Sequence, residues 1–248
     1  MLLEGKNAVV YGGGGAIGGA VARAFAREGA TVHLAGRTAA PLDAVAGEIR
    51  AAGGAAQTAR LDALDEAAVF AHADAVARAG GLDISINVIS HGVVQGTPLA
   101  EMAFDDFERP VRTALRSTFL TAQAAARHMI RQRSGVILMF GGYGDPAPRV
   151  GGLQVAFGAL ESLRRGLACE LGPSGIRVLT LQTGGIPETL PEEFAGRQAI
   201  TEDIEGRTML GRAAALADVG HVAAFAASDY ARSMTATALN ITCGSVVD

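Results

Sequence analysis

Short β-branched or apolar runs alternate with longer segments of helical period along nearly the whole chain, and that alternation limits the folds open to it. Asn7–Tyr11 and Thr31–Gly36 read as strands, followed by strands near 55–61, 83–87, Gly135–Gly141, 176–182 and 239–242. Between them lie helical patterns. Ile17, Val21 and Phe25 recur every four residues on one face, and further helices fall near 41–52, 66–79, Phe104–Gln132 and Leu153–Leu171, the last closed by Gly172-Pro173. Strand and helix in strict turn predict a doubly wound Rossmann-like α/β domain: a seven-stranded parallel sheet with helices on both faces. No linker or repeat divides residues 1–248, so one domain is expected. The less regular stretch at 183–209, rich in Gly, Pro and acids, is placed to cover a ligand crevice as a lid.

Composition narrows the function classes. The net charge of -4 comes without a basic cluster, which argues against nucleic acid. No apolar run is long enough to cross a bilayer, so no membrane association is expected. Cys169 and Cys243 lie in apolar sequence and read as buried thiols of a cytoplasmic protein. No His or Cys spacing fits a metal site. Arginine supplies all but one of the 21 basic residues, Lys6 being the exception, and tyrosine occurs at 11, 143 and 230 alone.

The first strand runs into "VVYGGGGAIGGA", residues 9–20. Glycines there let the backbone approach a pyrophosphate, and the helix that follows offers free N–H groups at its positive end. Two registers fit: Gly13-x-Gly15-x-x-Gly18, and a wider Gly12-x-x-x-Ala16-Ile17-Gly18. The strand before and the helix after are the context a dinucleotide-binding turn requires.

"LDA" at 61–63, "DISINVIS" at 83–90, "SGVILMFGG" at 134–142, "ELGPSGIRV" at 170–178, "TGGIPET" at 183–189 and the segment 222–244 follow in an order and spacing that resemble the short-chain dehydrogenase/reductase family over essentially the full length. The resemblance implies NAD or NADP across the strand ends. Gly12, Gly14, Gly15, Ile17 and Gly18 would surround the pyrophosphate. Asp62 would take the adenine amine, with Ala63 beside it. Asn87, Val88 and Ile89 would line the ribose and nicotinamide region, and Ile186 would lie near the carboxamide. The second strand ends "LAGRT" with no carboxylate for the ribose hydroxyls, and Arg37 suits a 2′-phosphate, so NADP is favoured over NAD.

The family reduces carbonyls with a serine after the fifth strand, a Tyr-x-x-x-Lys pair on the next helix and an asparagine in the helix before. Counting through these motifs places Gly142 at the serine, Val155 thirteen residues on at the tyrosine, Ala159 at the lysine and Ala114 at the asparagine. Lys6, at the far end of the first strand, cannot substitute. His91 after the fourth strand and Tyr143 beside the vacant serine position are the replacement acid–base candidates. Tyr11 is expected to pack beneath the glycine turn and Tyr230 to be structural. Glu188, Glu192 and Glu193 read as a solvated face. Two readings follow: an NAD(P)-dependent oxidoreductase of atypical mechanism acting on a small carbonyl or activated alkene, or a non-catalytic NADP(H)-binding sensor or partner subunit. The family's habit of pairing through its long fourth and fifth helices implies a homotetramer or homodimer.

Overall fold

The computed structural model describes residues 1–142 and 147–247. Its elements follow in the order β1 (Asn7–Tyr11), α1 (Ala16–Arg27), β2 (Thr31–Gly36), α2 (Ala39–Ala51), β3 (Ala55–Arg60), α3 (Glu66–Gly80), β4 (Ile84–Asn87), α4 (Phe104–Gln132), β5 (Gly135–Gly141), α5 (Leu153–Leu171), β6 (Ile176–Thr183), α6 (Arg197–Gly206), α7 (Leu216–Ala227) and β7 (Thr237–Ile241). All seven strands join one parallel sheet in the order β3-β2-β1-β4-β5-β6-β7. The chain winds outward from β1 to β3, then returns to lay β4 on β1's other side. That reversal opens a crevice at the carboxyl ends of β1 and β4, where open α/β sheets take their ligands.

Both faces of the central strands are covered, so β1 and β4 are buried nearly throughout rather than alternating. Successive side chains of β1 enter opposite cores. Ala8 and Val10 join the layer that includes Val21, Phe25, Leu42 and Val219, while Val9 and Tyr11 join the layer of α3, α4 and α5. The edge strand β3 carries mostly exposed residues, as a sheet margin does. Small residues let α7 lie close on α1: a Cβ on Gly220 would come within 2.9 Å of the Ala20 carbonyl oxygen.

Most elements form where their periodicity predicts, and the departures have local causes. α2 begins at Ala39, two residues ahead of Pro41, because the first helical turn needs no amide hydrogen from its proline. The stretch 183–209 contains α6, whose single buried residue, Ile204, gives too faint a stripe to read. The two cysteines are not buried: Cys169 is exposed and Cys243 partly so. Cys169 follows buried Ala168 by one helical step, about 100° of rotation, which carries it to the outer face of α5. Tyr230 is 80% exposed on the turn after α7, so it contributes no core packing. Glu188, read as solvated, accepts the Leu216 amide at 2.6 Å and closes the positive end of α7 together with Asp218, whose carboxylate accepts the Ala215 amide at 3.0 Å. No helix among the described residues is long and apolar enough to cross a membrane.

Candidate dinucleotide cleft

A cleft of about 620 Å³ opens at the β1/β4 reversal. Its floor is the glycine turn. Gly12 takes φ +86°, and its amide donates to the Ala35 carbonyl of β2 at 2.8 Å. A Cβ on Gly12 would stand 2.8 Å from the Val88 carbonyl oxygen, so the turn presses against the exit of β4. Gly18 is closer still: its Cβ would lie 2.1 Å from the Gly12 carbonyl oxygen. These two contacts select the wider of the two registers. Gly13 faces Leu34 of β2 and takes no part in the cleft wall, whereas Gly14 and Gly15 do.

α1 begins behind Gly15 with no side-chain cap and no acid in its first turn. Its leading amides and positive dipole end therefore point into the cleft uncompensated. A Cβ at Gly15 would meet nothing nearer than 3.4 Å, so the space above this turn is open. The observed cradle, bare of side chains and lined with amide donors, fits the pyrophosphate of a dinucleotide.

One end of the cleft is built by β2, α2 and the loop after β3. Arg37 is exposed on its wall, and the Arg60 Nε donates to the Arg37 carbonyl at 3.1 Å, bringing a second guanidinium to the same corner. Asp62 and Ala63 line this end. The Asp62 Oδ1 accepts the Leu64 amide at 3.0 Å, which fixes the carboxylate in its loop. Ile17, Val88 and Ile89 also line the cleft, whereas Asn87 and Ile186 do not. Asn87 is buried: its Nδ2 donates to the Thr121 Oγ1 at 3.3 Å, and its Oδ1 accepts the Ile89 amide at 3.0 Å, shaping the strand's exit. Ile186 is buried in the core.

At the other end α5 presents Leu153 and Phe157, four residues apart on one helix face. This corrects the motif count. Val155 is 49% exposed, and neither it nor Ala159 lines the cleft. Gly151, at φ +57°, turns the chain against Val94 and Met102, and Gly152 packs tightly on α4, where a Cβ would collide with the Phe107 carbonyl oxygen. The helix thus delivers its inward face two residues earlier than a count of thirteen from Gly142 implies. The cleft-facing positions of the first turns of α5 hold a leucine and a phenylalanine. Ala114 is fully buried and off the cleft, with Thr113 beside it on the wall. Gly142 adjoins the Phe157 ring, which a Cβ would approach to 3.8 Å.

His91 lines this end, its ring edge-on to Phe157 at 6.2 Å between centroids. Burial lowers its pKa from the ordinary imidazole value. Tyr143 lies outside the described residues. Tyr11 sits under the glycine turn, 1% exposed and edge-on to His72 at 6.0 Å, and burial raises its pKa. Sequence reasoning missed Leu153, Phe157, Phe140, Val93 and Thr113 as wall residues. The signal for the first two was the i, i+4 pair opening α5.

Beneath the cleft, His72 carries a buried Nδ1 with no hydrogen-bond partner among the described residues. Desolvation, and secondarily the neighbouring His33, lower its pKa to about 4. The unfolded chain takes up this proton near pH 6.5, the native chain not until about pH 4. Native stability is therefore fully present above pH 6.5 and declines as pH falls toward 4, by on the order of 3 kcal/mol. Urea unfolding at pH 7 and pH 4.5 measures this, and His72→Gln is expected to reduce the slope, leaving the share of His33 and His91, whose pKa values burial also lowers.

A family model described as enoyl-(acyl carrier protein) reductase matches residues 14–245. Gluconate 5-dehydrogenase of Gluconobacter oxydans is 32% identical over 213 residues, covering 85% of this chain and 82% of that protein. L-rhamnose 1-dehydrogenase (NAD(P)(+)) of a Sphingomonas species is 30% identical over 254 residues, covering 100% and 98%. Among solved structures, a short-chain dehydrogenase/reductase from Serratia marcescens superposes with a TM-score of 0.87 at 28% identity over both full chains. One from Mycobacterium ulcerans gives 0.90 at 27%, covering 99% of this chain and 91% of the other. On the family-model match and these similarities, the chain belongs to the short-chain dehydrogenase/reductase family of oxidoreductases.

Proposed function

We propose that this chain binds NADP(H) in the cleft and acts as an oxidoreductase of atypical mechanism on a small carbonyl or activated alkene. The observation that carries the reading is the glycine cradle at the β1/β4 reversal, open above and uncapped at the start of α1. Gly12, Gly14, Gly15, Ile17 and Gly18 hold the pyrophosphate through amides and close backbone approach. Arg37 takes the 2′-phosphate, Asp62 and Ala63 take the adenine, Val88 and Ile89 line the nicotinamide half, and Asn87 and Ile186 support that half from behind. Lysine is missing from this end, so the nicotinamide ribose lacks its usual cationic anchor.

When bound, the reduced nicotinamide supplies a hydride. The chain's own part is to exclude water with Leu153, Phe157 and Phe140, and to hold a proton at the His91 ring. A lowered pKa makes the imidazolium scarce at neutral pH, and a route through it slows as pH rises above its pKa. Without a stronger general acid, ketone reduction proceeds about 10²–10⁴-fold below an acid-assisted rate. A substrate whose reduced form is protonated by water suffers least. The relatives named for gluconate and L-rhamnose make a polyhydroxylated substrate the conventional guess. Residues 183–209 serve as a lid that reaches the cleft through Thr189. Exposed Phe119 and Ile130 on α4 and Val155 on α5 favour a homodimer or homotetramer, which light scattering tests. The exposed free thiol of Cys169 favours a reducing, cytoplasmic setting.

Fluorescence titration with NADPH is the direct test: saturable micromolar binding is expected, and its absence overturns the reading. Arg37→Ala is expected to weaken NADPH by about 10–100-fold and leave NADH within about twofold, since a charge-assisted bond contributes roughly 1.5–3 kcal/mol. Equal losses for both cofactors would remove Arg37 from 2′-phosphate recognition. The second reading, a sensor or partner subunit that binds NADP(H) without turnover, draws on the same leucine and phenylalanine facing the cleft. Tight NADPH binding with no consumption across a panel of enones and ketones would decide for it.

A further inference from the structure

We infer that the substrate end of the cleft recognises a compact hydrocarbon body with a single hydrogen-bond acceptor, and rejects polyhydroxylated molecules. The inference rests on the reading of the cleft as an NADP(H) site, and concerns the part beyond the glycine cradle. There, five side chains from three regions converge: Ile89 and Val93 after β4, Phe140 at the end of β5, and Leu153 and Phe157 on α5. None can hydrogen-bond.

The polar groups at this end are few. Ser90 is exposed. The Thr189 hydroxyl already donates to the Ile186 carbonyl at 2.7 Å. That leaves His91, Thr113 and the exposed Ser90 as side-chain donors at this end among the described residues, enough for one carbonyl oxygen and too few for a polyol. A polyol bound here would surrender water from several hydroxyls without replacing those bonds, and each unpaired buried hydroxyl opposes binding. A cyclic ketone or enone instead gains from every methylene that reaches the wall. Reduction of such an enone adds one hydride from NADPH at the β-carbon and one proton, from His91 or water, at the α-carbon. NADP⁺ and the saturated ketone are the products.

The test is calorimetric titration of the full-length protein with cyclohexanone, cycloheptanone and cyclooctanone, and with xylitol as the polyol, each with and without saturating NADPH. Affinity is expected to rise about fourfold per added methylene, with xylitol at least 100-fold weaker than cyclooctanone. Val93→Ser is expected to weaken cyclooctanone about tenfold or more. Xylitol binding as tightly as the ketones, or a series flat in ring size, overturns the inference. A chain that fails to bind NADPH yet keeps the methylene dependence would remove the cofactor reading and leave the apolar pocket standing. One that binds NADPH without discriminating among the ligands would do the reverse.

Discussion

Exchanging Leu153 for tyrosine and Phe157 for lysine is expected to raise ketone reduction with NADPH by about 10²-fold or more. The two positions lie one helical turn apart on the face of α5 that lines the cleft. A phenol there gains an ammonium neighbour, which favours phenolate and pulls its pKa down from about 10 toward the working range. Tyrosine alone at 153 is expected to give little, because an unassisted phenol in an apolar wall shifts the wrong way. Tyr11 illustrates this, since burial alone raises its pKa. Adding Gly142→Ser supplies a hydroxyl to polarise the carbonyl, although its Cβ would stand 3.0 Å from the Thr183 carbonyl oxygen and β6 must yield slightly. The rates come from NADPH consumption. The corresponding pair at the motif-counted positions, Val155→Tyr with Ala159→Lys, is the internal control and is expected to gain nothing. A gain at 155 and 159 but not at 153 and 157 would mean that the other face of α5 meets the cofactor.

Gly18→Ala is expected to abolish NADPH binding, with a loss of at least about 100-fold. The added methyl would sit 2.1 Å from the Gly12 carbonyl oxygen, a backbone atom that no rotamer change can move. Relief requires α1 to lift from the end of β1, and that motion dissolves the cradle. Gly47→Ala on α2, where a Cβ meets nothing within 4 Å, is the companion variant expected to bind as the parent does. Titration of both by NADPH fluorescence, with thermal melts alongside, separates loss of the site from loss of the fold. Retained affinity in a folded Gly18→Ala protein would show that the pyrophosphate does not depend on this turn.

How much of this could be read from the residues varied with the range of the forces involved. Helix α4 and strands β1, β2 and β5 form within the bounds their periodicity predicts, because one apolar stripe or run fixes each element on its own. The phosphate turn was legible for the same reason: glycine where φ must be positive and where backbones nearly touch is a local requirement. α6 was not, since a short helix that buries one side chain carries no stripe. Exposure of Cys169 was also invisible, because apolar neighbours in sequence point around a helix rather than to one side.

The lack of a Tyr-x-x-x-Lys pair was legible in the sequence, whose one lysine stands just before β1. Which residues replace it was not. A count along the chain assumes a fixed loop length, whereas the phase of α5 is set by how Gly151 packs against Val94 and Met102 and Gly152 against α4. Sequence by itself determined the sheet, the cradle and the lack of a Tyr-x-x-x-Lys pair, since these follow from residue type and short-range spacing. The tertiary structure alone decided that Leu153 and Phe157, rather than Val155 and Ala159, meet the cleft, because the rotation of a helix about its axis is fixed by packing against distant segments.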